Sequence, residues 1–525
     1  MRKTLLLIPL SLFFVSCASL KSYNSHLDNK IGPKKIKTDI DFAHRKLQKL
    51  HPDLYDFIDK EVLDFKFDSL KATINSPLTS KELFFKLSPV IASVKQGHTK
   101  LVPPTRKHRI NKNFDIAGRG TTPLTQFKFE LFDNHFFIIE NNSCKKEIPV
   151  GAELMRINNQ DPVELVSEYR NTFASDGFNK TYIDRRISTD LAKFYYYQNE
   201  LADSVLMTVK HQDSIWSVLV KHKYLEVPCG KPYQDNSEKD KIEDSKDTKK
   251  KRKYQGYNAY DDDFSKDLIF PDPDSSIAIL RIRDFQDGDY VDFYRECFKL
   301  LDTLNTQSLI IDIRDNHGGE LFDAFELFKN LTDSSFIFID KAEVASANSL
   351  LHRSYFIENG GSINIMLGIL YPLDLLARAK LVSGIEETDE GNYYLPLYES
   401  FSKKPNPNGF EGDLYVIING GTFSASCILS SNIKNLGKAV FVGEETGGAQ
   451  NGTVAGQMAL LKLPNSRLRL WCGLMHVKPI QQSGIFGRGI MPDIEIKPSL
   501  QDYIDGKDPE IEWIFNDIKK SNTGT

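Results

Sequence analysis

Two short runs constrain this chain more than any other feature. Residues 308–313 (SLIIDI) and 414–418 (LYVII) are almost continuously apolar, and each leads into a glycine-containing turn and then an amphipathic stretch. A strand with one wet face would alternate apolar and polar residues. Unbroken apolarity predicts strands covered on both faces, and so a mostly parallel α/β sheet. Residues 277–282 and 439–442 read as further strands of that unit. Helices are expected at 290–304, 321–331 and 425–436, the last stopped by Gly437. The α/β unit runs from 266 to 500, with a long interruption at 334–410 that suits a functional or lid-like insert.

Three other regions precede it. Residues 38–110 read as a helical unit: Ile40, Ala43, Leu47 and Leu50 recur at helical spacing, and Thr79-x-x-Glu82 has the form of a capping box. A helix after that box would carry Pro89, which is expected to kink it. Residues 115–222 look β-rich, with alternation at Phe127 to Phe132 (FKFELF) and a strand–turn–strand pattern from Val150 to Gln160. Such a module could take a peptide onto a sheet edge or be purely structural. Residues 228–265 read as a charged insertion, because 15 of the 23 residues from 231 to 253 are charged and Ile242 is nearly the only aliphatic. That stretch cannot bury enough apolar surface to order itself.

Arg2 and Lys3 followed by an eleven-residue, mostly apolar run from Leu5 to Val15 read as a signal peptide over 1–16. Ser16-Cys17 resembles the junction at which bacterial lipoproteins are cleaved and the cysteine lipidated, so 17–37 would be a lipidated Cys17 and a polar tether. The expected location is the bacterial cell envelope, anchored to the outer membrane. Lys+Arg 67 against Asp+Glu 71 argues against a general nucleic-acid binder. The six cysteines form no CxxC pair, so free, mostly buried thiols are expected rather than a disulfide framework or a zinc ribbon. Neither HExxH nor a phosphate-binding glycine loop occurs, and no metal or cofactor is expected.

Chemistry could sit at the two post-strand turns. In Asn419-Gly-Gly-Thr-Phe-Ser-Ala-Ser the chain turns on glycines and enters a helix at Ser424. Free N–H groups at a helix N-terminus can stabilise an oxyanion, but a serine there also serves as an ordinary N-cap. In Asp312-Ile-Arg-Asp-Asn-His-Gly-Gly319 the paired glycines can turn a backbone N–H toward a ligand, or simply make a tight turn. His317 in that turn has no fixed relation to Ser424.

Taken together and in this order, these fragments resemble the C-terminal-processing (tail-specific) serine peptidase family. The resemblance rests on Asp312 to Gly319, on Ser424-Ala425-Ser426, on Val442-Gly-Glu-Glu-Thr-Gly-Gly448 and on Gly487 to Asp493 (GRGIMPD). It implies an α/β core of crotonase/ClpP-like type, preceded by the helical unit and a PDZ-like domain at 115–222. It also implies Ser424 as nucleophile, with an oxyanion hole from Gly318 or Gly319 and Ala425, and peptide or protein substrates.

The best-known branch of that family places a lysine base after the VGExTxG strand, where this chain has Ala449. The branch that looks like the tricorn protease core uses a histidine ahead of the PDZ-like region, and Gly97-His98-Thr99 stands there. A serine without a base is a poor nucleophile, so His98 is the expected base. The glutamate that branch places some sixty residues after the nucleophile is missing, since no Asp or Glu lies between Leu470 and Met491. Thr99, Glu444, Glu445, Gln481, Gln482 and His476 are the remaining candidates to orient His98. The expected function is an exported Ser–His endopeptidase. A catalytically silent binding protein and a PDZ-type adaptor on the same scaffold are the alternatives.

Overall fold

The computed structural model describes residues 20–106, 120–199, 202–224, 254–258, 263–286, 288–352, 376, 379–482 and 484–523. The signal peptide, Cys17 and the charged run 231–253 lie outside them. The N-terminal unit is built from helices Pro33–Leu50, Lys60–Thr73 and Ser80–Ala92. Ile36, Ile40, Ala43, Leu47 and Leu50 fall on one face of the first and are all buried. The capping box is present in full: Thr79 N donates to Glu82 Oε2 and Glu82 N donates to Thr79 Oγ1. The last helix runs on through Pro89. The tether expected over 17–37 is not a tether throughout, because Leu20–Asp28 is helical and the next helix already begins at Pro33.

Five antiparallel strands follow, in the order Phe127–Phe132, His135–Asn141, Glu153–Ile157, Ser204–His211, Ser214–Lys221. Alternation carries their inner face: Val205, Met207 and Val209 are fully buried while Leu206 between them is exposed. The β-rich reading omits three helices, Pro162–Ser167, Thr181–Thr189 and Leu191–Gln198, inserted between the third and fourth strands. The segment expected as an insertion to 265 is placed at its C-terminal end, where Tyr257–Asn258 pairs with Asp263–Phe264 and Ser265 is buried.

The core sheet has the order Lys266–Ile269, Ile277–Ile282, Ser308–Asp312, Asp413–Ile418, Ala439–Gly443, Ile494–Glu495; all its pairings are parallel except the first. Every residue of Ser308–Asp312 is buried. Helices Tyr290–Thr303, Leu321–Phe328 and Ala425–Leu436 pack one face. The C-terminal helix Pro509–Thr523 closes the other, with Ile514 and Ile518 set against Ile310 and Ile417. The two-sided covering expected from the apolar runs is what the chain adopts.

A second sheet connects this core to the N-terminal unit. Its spine is the hairpin Thr453–Lys462 and Arg469–Val477, and the strand Lys100–Val102 pairs with Trp471, Leu470 and Arg469. Part of the 334–410 interruption joins it through Ala342–Val344 and Tyr393–Leu395, while 353–375 lies outside the described residues. At the hairpin's turn the fully buried Asp39 accepts hydrogen bonds from Asn465 N, Asn465 Nδ2 and Ser466 N at 2.6 to 2.9 Å. Asp39→Ala leaves Asn465 N and Ser466 N without acceptors, so unfolding monitored in urea is expected to show a loss of about 2–4 kcal/mol. A change under half a kcal/mol would mean that the turn is held without Asp39.

Cys297, Cys427 and Cys472 are free and buried, as expected. Cys144 is disulfide-bonded, which corrects the expectation of free thiols throughout. Its partner is not among the described residues.

Candidate active site

Ser424 follows the strand Asp413–Ile418 and opens the helix Ala425–Leu436. Its backbone has φ 58° and ψ −124°, a region that non-glycine residues rarely occupy and that surrounding structure must enforce. The enforcement is visible in the turn: Thr422 Oγ1 donates to Ile313 O, Asn419 N donates to Thr422 Oγ1, and Asp315 N and Gly421 N both donate to Asn419 Oδ1. The Ser424 side chain caps nothing, so the ordinary N-cap explanation fails. Its carbonyl accepts from Cys427 N and Ile428 N, and Ser426 N donates to Phe423 O. Ala425 N makes no hydrogen bond among the described residues.

The loop Asp312–Gly319 lies against this turn. Arg314 is paired with Asp312 and with Asp508, and Arg185 with Asp315 and Glu130, which ties the loop to the C-terminal segment and to the helix Thr181–Thr189. Burial opposes ionisation of Asp315, yet Arg185 beside it holds the carboxyl well below the usual range. Gly318 has φ +90°, and a Cβ there would stand 2.7 Å from Ser424 Cβ and 2.9 Å from Ala425 N. Of the two glycines, Gly318 therefore borders Ser424, whereas Gly319 lies against Phe285 and Gln286. Gly318 N donates to Asn316 Oδ1 at 2.9 Å, so that N–H is already used. Gly319 N has no partner among the described residues, and with Ala425 N it makes the pair of available donors.

His98 arrives from the N-terminal unit. The loop Gln96–Thr99 is seated by Gly97 N donating to Asp176 Oδ1 at 2.7 Å. Gly97 is required there, since a Cβ would sit 2.5 Å from Phe423 Cζ. The His98 ring stacks on Phe423 with centroids 5.0 Å apart, and Tyr182 stacks on Phe423 at 4.2 Å. Phe423 immediately precedes Ser424, so one side chain joins the two candidate residues. His98 Nδ1 lies 3.2 Å from Thr453 Oγ1, which leaves Nε2 without a partner among the described residues. Burial, reinforced by Lys100, pushes the His98 pKa down to about 3, and the ring is a neutral base at neutral pH.

The other candidates go elsewhere. His317 Nδ1 is 3.0 Å from Gly421 O and the ring stands edge-on to Tyr182, a brace for the turn rather than a base. Thr99 is fully buried with its hydroxyl unpaired. Glu445 binds Arg488 and Gly489 N and so holds the Gly487–Asp493 segment, away from His98. Glu444 pairs with Lys497. Gln481 O accepts from Asn435 Nδ2, and Gln482 Oε1 accepts from Asn451 Nδ2. Ala449 is buried. Asp176, Thr453 and Tyr182 lie in no motif of the sequence, and Phe423, although inside the Asn419–Ser426 run, was not singled out; the place of each is defined by packing.

His476 belongs to a different cluster. Its Nδ1 is 2.5 Å from Asp53 Oδ2, with Asp56 beside it, and among the described residues these three form a group whose ligand atoms lie within 4.8 Å of one another. Lys478 sits 3.0 Å from the same Asp53 oxygen and 3.0 Å from Glu343. That cation already supplies positive charge to the carboxylates where a metal would.

Residues 276–496 match the model of peptidase family S41. Mature CPAF complexed with lactacystin is 14% identical over 94% of this chain and 98% of its own, with a TM-score of 0.57. Mature CPAF is 14% identical over 90% and 94%, with a TM-score of 0.54. The photosystem II D1 C-terminal processing protease is 12% identical over 90% and 96%, with a TM-score of 0.41. No curated protein matches. A covered parallel sheet that presents an uncapped serine at a helix entry beside a glycine loop belongs to a serine-type peptidase. Residues 276–496 of this chain are thus similar to the peptidases of family S41, a family that acts on peptides or proteins.

Proposed function

We propose that the chain is an exported, lipid-anchored serine endopeptidase of the histidine-dependent branch. Ser424 Oγ attacks the scissile carbonyl while His98 Nε2 takes its proton. The imidazolium then protonates the leaving amine, and water resolves the acyl-enzyme by the same path. Gly319 N and Ala425 N receive the developing oxyanion. One observation carries this reading: the strained, uncapped Ser424 is next to Phe423, on which the neutral His98 ring stacks. In the β-domain the strand Ser214–Lys221 pairs, among described residues, on one side alone and exposes Ile215 and Leu219, which suits capture of an extended peptide in the PDZ manner. A serine-directed fluorophosphonate should label the wild type and not Ser424→Ala. Equal labelling of both would sink the assignment, and no labelling of either would favour a silent binding protein. Lactacystin, present in a solved complex of CPAF, is a second probe of the same serine.

Export is supported by the signal-like N-terminus and by the Cys144 disulfide, a bond that persists in oxidising compartments. Cys17→Ala is expected to release the protein from the membrane fraction. Unchanged fractionation, with no lipid mass on the processed wild type, would contradict the anchor.

A further inference from the structure

The expected glutamate partner of His98 is absent from this chain, and the structure offers a different carboxyl. Asp176 is fully buried on the segment before helix Thr181–Thr189. Its Oδ1 accepts from Gly97 N, the residue before His98. Its Oδ2 has no well-formed hydrogen bond, and the side-chain donor that favours its ionised form is the Thr453 hydroxyl. That same hydroxyl lies 3.2 Å from His98 Nδ1. Gln96, Thr99 and Ser175 on the two flanking segments are also buried with an unpaired oxygen each. Buried polar atoms are ordinarily paired, so a cluster of unpaired ones directly behind His98 marks a functional place.

We propose that Asp176 is the positioning acid of the catalytic unit, acting through Thr453 to set the His98 tautomer that leaves Nε2 free to take the Ser424 proton. The inference rests on the Ser424–His98 reading above. When Asp176 is ionised, the Thr453 O–H donates to the carboxylate and its oxygen lone pair faces the ring, so Nδ1 must carry the proton and Nε2 is the base. When Asp176 is protonated, the Thr453 hydroxyl is released and can donate to Nδ1. The proton then resides on Nε2, and the base is lost. Nothing in this exchange requires a further reactant.

Burial raises the Asp176 pKa to about 7. The groups facing it are Gly97 N–H, the Thr453 hydroxyl on the hairpin, the Cys427 thiol on helix Ala425–Leu436 and Tyr182 on helix Thr181–Thr189. Lys100 acts on His98 itself. Activity of the wild type should therefore rise with pH through about 7 as Asp176 ionises. The folded state binds this proton more tightly than the unfolded chain, so stability falls as pH climbs from the usual aspartate range to about 7 and stays reduced above it.

The test is cleavage of fluorescein-labelled casein by the full chain, with pH profiles and melting curves. Asp176→Asn still accepts from Gly97 N but cannot ionise. It should lower kcat about 10²- to 10⁴-fold with KM little changed, abolish the acid limb near pH 7, and melt higher than wild type at pH 8. Thr453→Val should lower kcat while leaving Asp176 and Gly97 in place, and it decides the matter if Asp176→Asn fails to fold. Wild-type kcat and pH profile in Thr453→Val or Asp176→Asn, with His98→Ala inactive, overturn the relay and leave the Ser–His unit standing. Lower kcat together with a lower melting temperature at pH 8 in Asp176→Asn, and wild-type kcat in Thr453→Val, assign Asp176 a structural role and also overturn it. Full activity in His98→Ala instead overturns the reading on which the relay depends.

Discussion

Ser424→Ala and His98→Ala should each lower peptide turnover by about 10⁴- to 10⁶-fold, and the double variant should be little worse than either. A serine is a weak nucleophile at its own pKa and gains reactivity from a base that removes its proton during attack. The Ser424 hydroxyl makes no cap, so no competing bond has to be broken first. The base must be neutral before it acts, and burial, aided by Lys100, holds the His98 pKa at about 3. Protonation of His98 itself consequently moves far below the ordinary histidine range. The simple expectation of an acid limb near 6.5 is thus replaced by one that reports a different group. Two residues that perform one proton transfer are lost together once either is removed, so the effects do not add. Both variants should keep the wild-type circular dichroism spectrum and melt within a few degrees of it, because neither change opens a cavity in a core cluster. The decisive measurement is turnover by purified, folded protein at several pH values. Residual activity within tenfold of wild type in His98→Ala would move the search to another base.

How much of this could be read from the chain depends on how locally each feature is encoded. The parallel core was legible because burial on both faces writes itself into consecutive residues, as in Ser308–Asp312. Thr79 and Glu82 were legible because a capping box is complete within four positions. The helices between Pro162 and Gln198 were not, since they are short and lie within a region whose alternating strands dominate the pattern. Ser424 was legible as a position but not as a conformation. Only the structure distinguishes a cap from a strained, unbonded hydroxyl. The Gly318-Gly319 pair was legible as a turn that can point a backbone N–H outward. Which of the two is available depends on where the Asn316 side chain turns, and a spacing does not reveal that. Asp176 illustrates the limit. It touches the loop of His98 and influences a hydroxyl of a distant hairpin, so its role arises wholly from packing between segments remote in the chain.

The second large effect is expected at Gly318. Gly318→Ala should reduce kcat at least 10²- to 10³-fold, about the scale of losing one oxyanion donor. Two costs fall on the variant, and they can be separated. The first is backbone strain, because φ of +90° is a conformation that alanine rarely adopts. The second is steric: the new Cβ would lie 2.7 Å from Ser424 Cβ, 2.9 Å from Ala425 N and 2.9 Å from Phe423 O. None of these is the loose end of a flexible side chain, so relief requires the nucleophile turn itself to move. Gly506 supplies the control, with φ of +66° and nothing within 4 Å of its Cβ position. Gly506→Ala meets only the strain, so it should lose about 1 kcal/mol of stability and keep wild-type kcat. If the geometry around Ser424 is what the catalytic step uses, Gly318→Ala will be catalytically poor even under conditions where it is fully folded. Fluorophosphonate labelling will slow in parallel, since that reagent needs the same oxyanion donors. A Gly318→Ala enzyme that is destabilised like Gly506→Ala but turns over normally would show that Ser424 tolerates displacement, and that Gly319 N and Ala425 N are not the groups that meet the developing charge.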